Sequence, residues 1–134
     1  LDDIEHGKIR RFGDPRIHAA LVCGSASCPT LRFEPYDGAR LESQLDAQMR
    51  SFLSSGAMVL NPGEASVSMS RIFLWFGRDF VAPHRMPGMG TANAGRVRDT
   101  VAYWLPESER RWVWETEPSV EFQDYDWGLS CTVA

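Results

Sequence analysis

The sequence predicts a single α+β domain spanning residues 1–134, with a mainly antiparallel sheet and three main helices packed on it. Three observations lead there: an apolar run from Arg16 to Cys23, three stretches with helical spacing, and short β-prone segments beside turn residues. A chain of 134 residues, 43% hydrophobic and with five Trp, can close one core but not two. Strands and helices alternating around a parallel sheet form the alternative.

Leu1 to Ile9 reads as a short helical turn, with Asp2, Asp3 and Glu5 leading and Lys8, Arg10 and Arg11 trailing, the order a helix dipole favours. Gly13-Asp14-Pro15 turns the chain. Arg16 to Cys23 lacks polar alternation, which reads as a central strand buried on both faces. Ala39 to Ser54 places Leu41, Leu45, Met49, Phe52 and Leu53 on one helical face, and Gly56 stops it. Ala57 to Leu60 and Ala65 to Met69 flank Asn61-Pro62-Gly63 as a hairpin. Ser70 caps a helix through Phe80 that buries Ile72, Phe73, Trp75 and Phe76. Gly95 to Leu105 is a further helix, stopped by Pro106, and Trp112 to Glu115 and Val120 to Tyr125 are β-like runs.

A formal charge of −4 argues against a nucleic-acid partner, because such proteins concentrate Lys and Arg against phosphates. No apolar run approaches the roughly 20 residues that span a bilayer, so a soluble chain without membrane insertion is expected. The chain begins without Met and without a signal-peptide pattern, which leaves localisation open. Cys23, Cys28 and Cys131 allow at most one internal bridge; one between Cys23 and Cys28 would imply an extracytoplasmic, oxidising compartment. Metal-ligand spacing, phosphate loops, the serine-hydrolase elbow and the dinucleotide fingerprint are all missing, so neither a cofactor nor a metal is expected. A phosphatase loop would need Arg at 29 or 34, where Pro29 and Glu34 stand.

Several blocks resemble one family. Leu1-Asp-Asp-Ile-Glu-His-Gly, followed by Asp14-Pro-Arg-Ile-His-Ala-Ala-Leu-Val-Cys-Gly-Ser-Ala-Ser-Cys-Pro-Thr-Leu-Arg32, is similar to the signature of the domain of unknown function 547 (DUF547) family. Ser70-Arg-Ile-Phe-Leu-Trp-Phe-Gly-Arg-Asp-Phe80 and Tyr125-Asp-Trp-Gly-Leu-Ser130 resemble its I-F-x-W-[YF]-x-x-D-F helix and closing Y-D-W-x-L-N. Ser130 stands where Asn is usual, and this chain starts after the family's usual opening aromatic helix, which must then be dispensable or be supplied by a partner chain. The resemblance implies a distant analogy to papain-like and transglutaminase-like folds, and through it thiol chemistry.

The residues give two functional readings. In the first, the chain is a cysteine-dependent amide or ester hydrolase or acyltransferase acting on a small molecule or peptide. Cys28 is its nucleophile, placed beside a helix cap by Pro29; His18 or His6 is the base, Asp126 orients it, and the Thr30 and Leu31 amides hold the oxyanion. Such a dyad requires Gly24 to Ser27 to fold back over its own strand. In the second, the chain is a noncatalytic ligand- or protein-binding module: Cys23 and Cys28 stiffen a loop, Asp126 makes an Asx turn, Trp75 and Trp127 are core, and Pro83 to Gly95 offers a surface that includes His84. Asp79, at a helix end, needs a cationic partner such as Arg71 or Arg78.

Overall fold

A computed structural model describes residues 2–81 and 92–130. The α+β class holds, but with seven helices among the described residues and a three-stranded mixed sheet. Helices α1 (Asp2–Gly7), α2 (Ile17–Ala20) and α3 (Leu41–Phe52) precede strands β1 (Met58–Asn61) and β2 (Ser66–Met69). Then come α4 (Ile72–Trp75), α5 (Gly77–Val81), α6 (Ala94–Val101), α7 (Glu107–Thr116) and β3 (Ser119–Phe122). The strand order is β1-β2-β3. The hairpin is antiparallel with Met58 opposite Met69, whereas β3 joins β2 in parallel with Met69 opposite Phe122.

The expected central strand at Arg16 to Cys23 is instead helix α2 followed by extended chain. Local turn chemistry overrides the apolar run. Asp14 Oδ1 accepts the Arg16 amide at 3.0 Å, and the Asp14 and Pro15 carbonyls accept the Ile17 and His18 amides. A short apolar run is equally compatible with a buried helix, and α2 packs its fully buried Ala19 against α3. Arg16 locks that contact by reaching Asp14, Glu42 and Asp46 at 2.6, 2.8 and 3.0 Å.

Helix α3 buries Leu45, Met49 and Phe52 as its spacing predicts, but Leu41, expected on the same face, is exposed at the first position of the helix, and Gln44 and Gln48, expected elsewhere, are buried. Both glutamines hold the preceding loop: Gln44 Oε1 accepts the Asp37 amide at 2.8 Å and Gln48 Nε2 donates to the Thr30 carbonyl at 2.8 Å. Gly56, at φ 116°, turns the chain out of the helix into β1.

The expected helix from Ser70 to Phe80 breaks at Phe76 (φ −113°, ψ 18°), giving α4 and α5. Ile72, Phe73 and Phe80 are buried, while Trp75 and Phe76 keep part of their surface. The expected strand at Trp112 to Glu115 belongs to α7, which starts after Pro106 with Glu107 and Glu109 in its first turn and buries Val113. The β-like run at Val120 to Tyr125 is realised only in part: β3 ends at Phe122, and residues 123–125 are irregular. Phe73, Met49, Met69, Val67, Val97 and Val101 form the centre of the core, between the sheet and helices α3 to α6. No helix of the described residues is long and apolar enough to cross a membrane.

Candidate functional site: a cysteine turn beside a buried histidine

Cys23 leaves α2 on extended chain, and Gly24 at φ 88° reverses it. A turn closed by the Cys28 amide on the Ser25 carbonyl (3.1 Å) then brings Cys28 back beside Cys23. The backbone thus folds back, but onto Cys23, three residues beyond the end of α2, rather than over the start of a strand. The two Sγ atoms lie 2.7 Å apart, and the Cys23 amide donates to Cys28 Sγ at 3.0 Å. Both cysteines are free; Cys23 is exposed and Cys28 half-buried.

The far end of the chain holds this turn in place. The Ala26 amide donates to the Gly128 carbonyl (2.8 Å), the Ser130 amide to the Gly24 carbonyl (2.8 Å), and the Asp126 amide to Ser27 Oγ (2.8 Å). Ser25, buried, hydrogen-bonds the Tyr125 hydroxyl at 3.1 Å and lies 3.2 Å from Cys23 Sγ. Burial pushes the Cys23 thiol up, but hydrogen bonds from the Cys28 thiol, the Ser25 hydroxyl and amide, and Tyr125 outweigh it and bring the pKa down to about 7. Cys28 moves the other way, raised by burial and by its bond to Cys23. Burial likewise raises Tyr125, which stays a neutral phenol.

His18 sits on the buried face of α2. Its ring lies flat on Phe76, with centroids 4.3 Å apart and 11° between planes, and its Nε2 donates to Asp79 Oδ2 at 2.8 Å. Arg10 grips the same carboxylate with two bonds, Nε to Oδ2 at 2.8 Å and a terminal nitrogen to Oδ1 at 3.0 Å. Asp79 is therefore paired by Arg10 and His18 rather than Arg71 or Arg78, and it stands in the first turn of α5, where the helix dipole favours a carboxylate, instead of at the expected helix end. Burial alone would raise its carboxyl; the hydrogen bonds from His18 and Arg10 hold it below the ordinary range. Arg10 also donates to His6 Nδ1 at 3.0 Å, which fixes that nitrogen as an acceptor, since a guanidinium has no lone pair to offer.

These groups share one cleft of about 460 Å³, lined by His6, His18, Cys23, Cys28, Trp75, Tyr125 and Trp127, with carboxylates from Asp2 and Glu5. Cys28 and Tyr125 also border a smaller cavity of about 170 Å³ among Ser27, Ser55, Ser70 and Gln123. Trp127 is 69% exposed and stacks on Trp75 at 5.7 Å, so it forms an open aromatic wall and not core.

Three of the expected placements differ. Pro29 does not begin a helix, so Cys28 has no helix cap beside it, and Thr30 and Leu31 lie on irregular chain. The Asp126 carboxylate accepts the Gly128 amide at 2.8 Å in an Asx turn, and the carboxylate that orients His18 is Asp79. Among the described residues the hydrogen-bond partners of the two thiols are Ser25, Tyr125 and each other, with no histidine. His84 and Cys131 lie outside the described residues, as does Pro83 to Thr91. Sequence pattern did not single out Tyr125 and Arg10 as site residues, although the closing Tyr125-Asp126-Trp127 block carried the signal for the first. No cluster of three or more His, Cys, Asp or Glu side chains able to hold a metal occurs among the described residues.

No solved structure and no curated protein matches the chain, which leaves the papain-like analogy without support. The stretch carrying His18, Cys23 and Cys28 is similar to a known family: residues 1–53 match the model described as "Protein of unknown function, DUF547", consistent with a DUF547 domain.

Proposed function

We propose that the cleft carries out cysteine-dependent acyl transfer, as an amide or ester hydrolase or an acyltransferase, with Cys23 rather than Cys28 as the attacking sulfur. The observation that carries this reading is the gathering of an exposed thiol, the Tyr125 hydroxyl and an Asp-oriented histidine around one aromatic cleft, with Ser25 bonded to Tyr125 behind it. The Cys23 thiolate attacks the acyl carbon, forming the C–S bond while the carbonyl oxygen takes up the electron pair. Tyr125 presents an O–H donor at the cleft. The oxygen then returns its electron pair, the bond from the acyl carbon to the amine or alcohol breaks, and the proton that Cys23 gave up to solvent reaches the leaving group through His18 Nδ1 while Asp79 holds Nε2. Water, or an acceptor nucleophile, then releases the acyl group. The aromatic wall of Trp75 and Trp127 suits the apolar part of a small-molecule or peptide substrate.

The noncatalytic alternative is favoured by one specific observation, the absence of a histidine among the described partners of either thiol. A chromogenic ester or thioester separates the two. The acyl reading expects an acyl group trapped on Cys23 by peptide mass mapping, a rate that rises through about pH 7, and loss of both in Cys23→Ser. Cys28→Ser should keep turnover but move the rise to higher pH, because its thiol helps to stabilise the Cys23 thiolate. No adduct on either cysteine, with the cleft still binding an aromatic probe dye, would establish the binding module instead.

A further inference from the structure

We infer that Cys23 and Cys28 form a redox-active dithiol that is oxidised to an intramolecular disulfide by low-molecular-weight disulfides of the glutathione type. This activity goes beyond acyl transfer and stands without it.

The geometry divides the labour between the two sulfurs. Cys23 is exposed at the cleft and can be approached by a disulfide, while Cys28 is half-buried behind it, with the sulfurs 2.7 Å apart. A disulfide needs about 2.05 Å between sulfurs, so closure asks only for small side-chain rotations across a turn that already brings the two residues together. Gly24 in the left-handed region makes that turn without strain, and the Ser25 to Cys28 hydrogen bond holds it closed. Four residues separate the cysteines, so the loop to be closed is short and its entropy cost has largely been met by the bonds from Gly128 and Ser130. The exposed member is also the one whose thiolate is stabilised near neutral pH, as exchange chemistry requires of an attacking sulfur.

The exchange runs in two displacements. Cys23 thiolate attacks one sulfur of the external disulfide; the Cys23–S bond forms, the external S–S bond breaks, and the first thiolate departs with the electron pair. Cys28 loses its proton to solvent and attacks Cys23 Sγ, forming the internal bridge and expelling the second thiolate. The two departing thiolates take up the protons that Cys23 and Cys28 have released. The protein is thus oxidised by two electrons and the external disulfide reduced to two thiols. Because the bridge consumes Cys23, oxidation also silences any acyl chemistry at the same sulfur until a thiol reductant restores it.

The test uses the full chain with Cys131→Ser, so that only the pair remains, equilibrated in oxidised and reduced glutathione and read by intact mass after alkylation, with no acyl substrate present. The expected result is loss of both alkylation sites together at oxidising ratios, recovery on reduction, and no lasting glutathione adduct. Cys28→Ser should accumulate a mixed disulfide on Cys23, whereas Cys23→Ser should react far more slowly. Two thiols that stay alkylatable at every ratio, or a mixed disulfide that persists in the presence of Cys28, would overturn the inference. Neither result bears on acyl transfer, which the chromogenic assay reads on the reduced protein.

Discussion

The segment from Ile72 to Val81 has two sides that obey different rules. Ile72, Phe73 and Phe80 point into the apolar core, where Phe73 meets Phe52 and Phe80 at ring distances of 5.9 and 5.2 Å. Trp75 and Phe76 line the cleft and Asp79 backs its histidine, and the contacts on this side are a stacked imidazole, a guanidinium and a second tryptophan. The first side is held by area removed from water; the second buries charge and must satisfy each polar atom. One segment can serve both because it breaks at Phe76, which turns the later residues away from simple helical register. Stability and chemistry are therefore separable by substitution within about one turn of chain.

The largest loss should come from the core side. Phe73→Ala should cost about 3–5 kcal/mol in urea unfolding, as full truncation of a buried aromatic does. Asp79→Ala comes next, at about 3 kcal/mol, because it removes the carboxylate that pairs the buried Arg10 guanidinium. The same ion pair predicts the acid limb of stability. A carboxyl depressed in the folded state contributes fully above the unfolded pKa of about 3.9, and that contribution is lost as pH falls further. The urea midpoint should drop below about pH 4 in the wild type, and Asp79→Asn should flatten that limb. Phe76→Leu should lose about 1 kcal/mol through the imidazole stack, together with a much larger fall in turnover once His18 is free to rotate. Trp127→Ala should change stability by no more than about 0.5 kcal/mol while raising KM, because the ring is exposed and lines the cleft. Equal stability losses at Phe73 and Trp127 would erase the distinction between the two sides.

Particular residues show how much of the molecule local pattern dictates. The hairpin, the Gly56 stop and most of the buried face of α3 follow from turn chemistry and spacing, whereas Leu41 is exposed and Gln44 and Gln48 are buried against that pattern. Two apolar or aromatic runs, 17–22 and 112–115, carry no periodicity long enough to choose between helix and strand. The flanking residues decided for helix at 17–20, through Asp14 and Pro15, with 21–22 left extended, and through Pro106 and Glu107 over the whole second run. The parallel pairing of β3 with β2 is a long-range event that no local window contains. At the site, the sequence singled out Cys28, His18 and Asp126; the first two line one cleft together with Cys23, whereas Asp126 is not among the lining residues. It could not show which sulfur is exposed, or that Arg10 and Asp79 meet across 69 residues, since both depend on how distant segments close on each other.

The ties between the cysteine turn and Tyr125 to Ser130 set an order of events. Ser25 and Tyr125 are 100 residues apart, and β3, which delivers Tyr125, must first find β2 by a parallel pairing across a connection that contains helices α4 to α7. Such pairings form late, after hairpins and helices. On a ribosome the hairpin and α3 can assemble while Cys23 and Cys28 still lack their clamp, so the emerging chain carries two unshielded thiols until its closing motif appears. Reactivity and folding are thereby linked in time: the cleft acquires its hydroxyl partners only when the last described residues have been made.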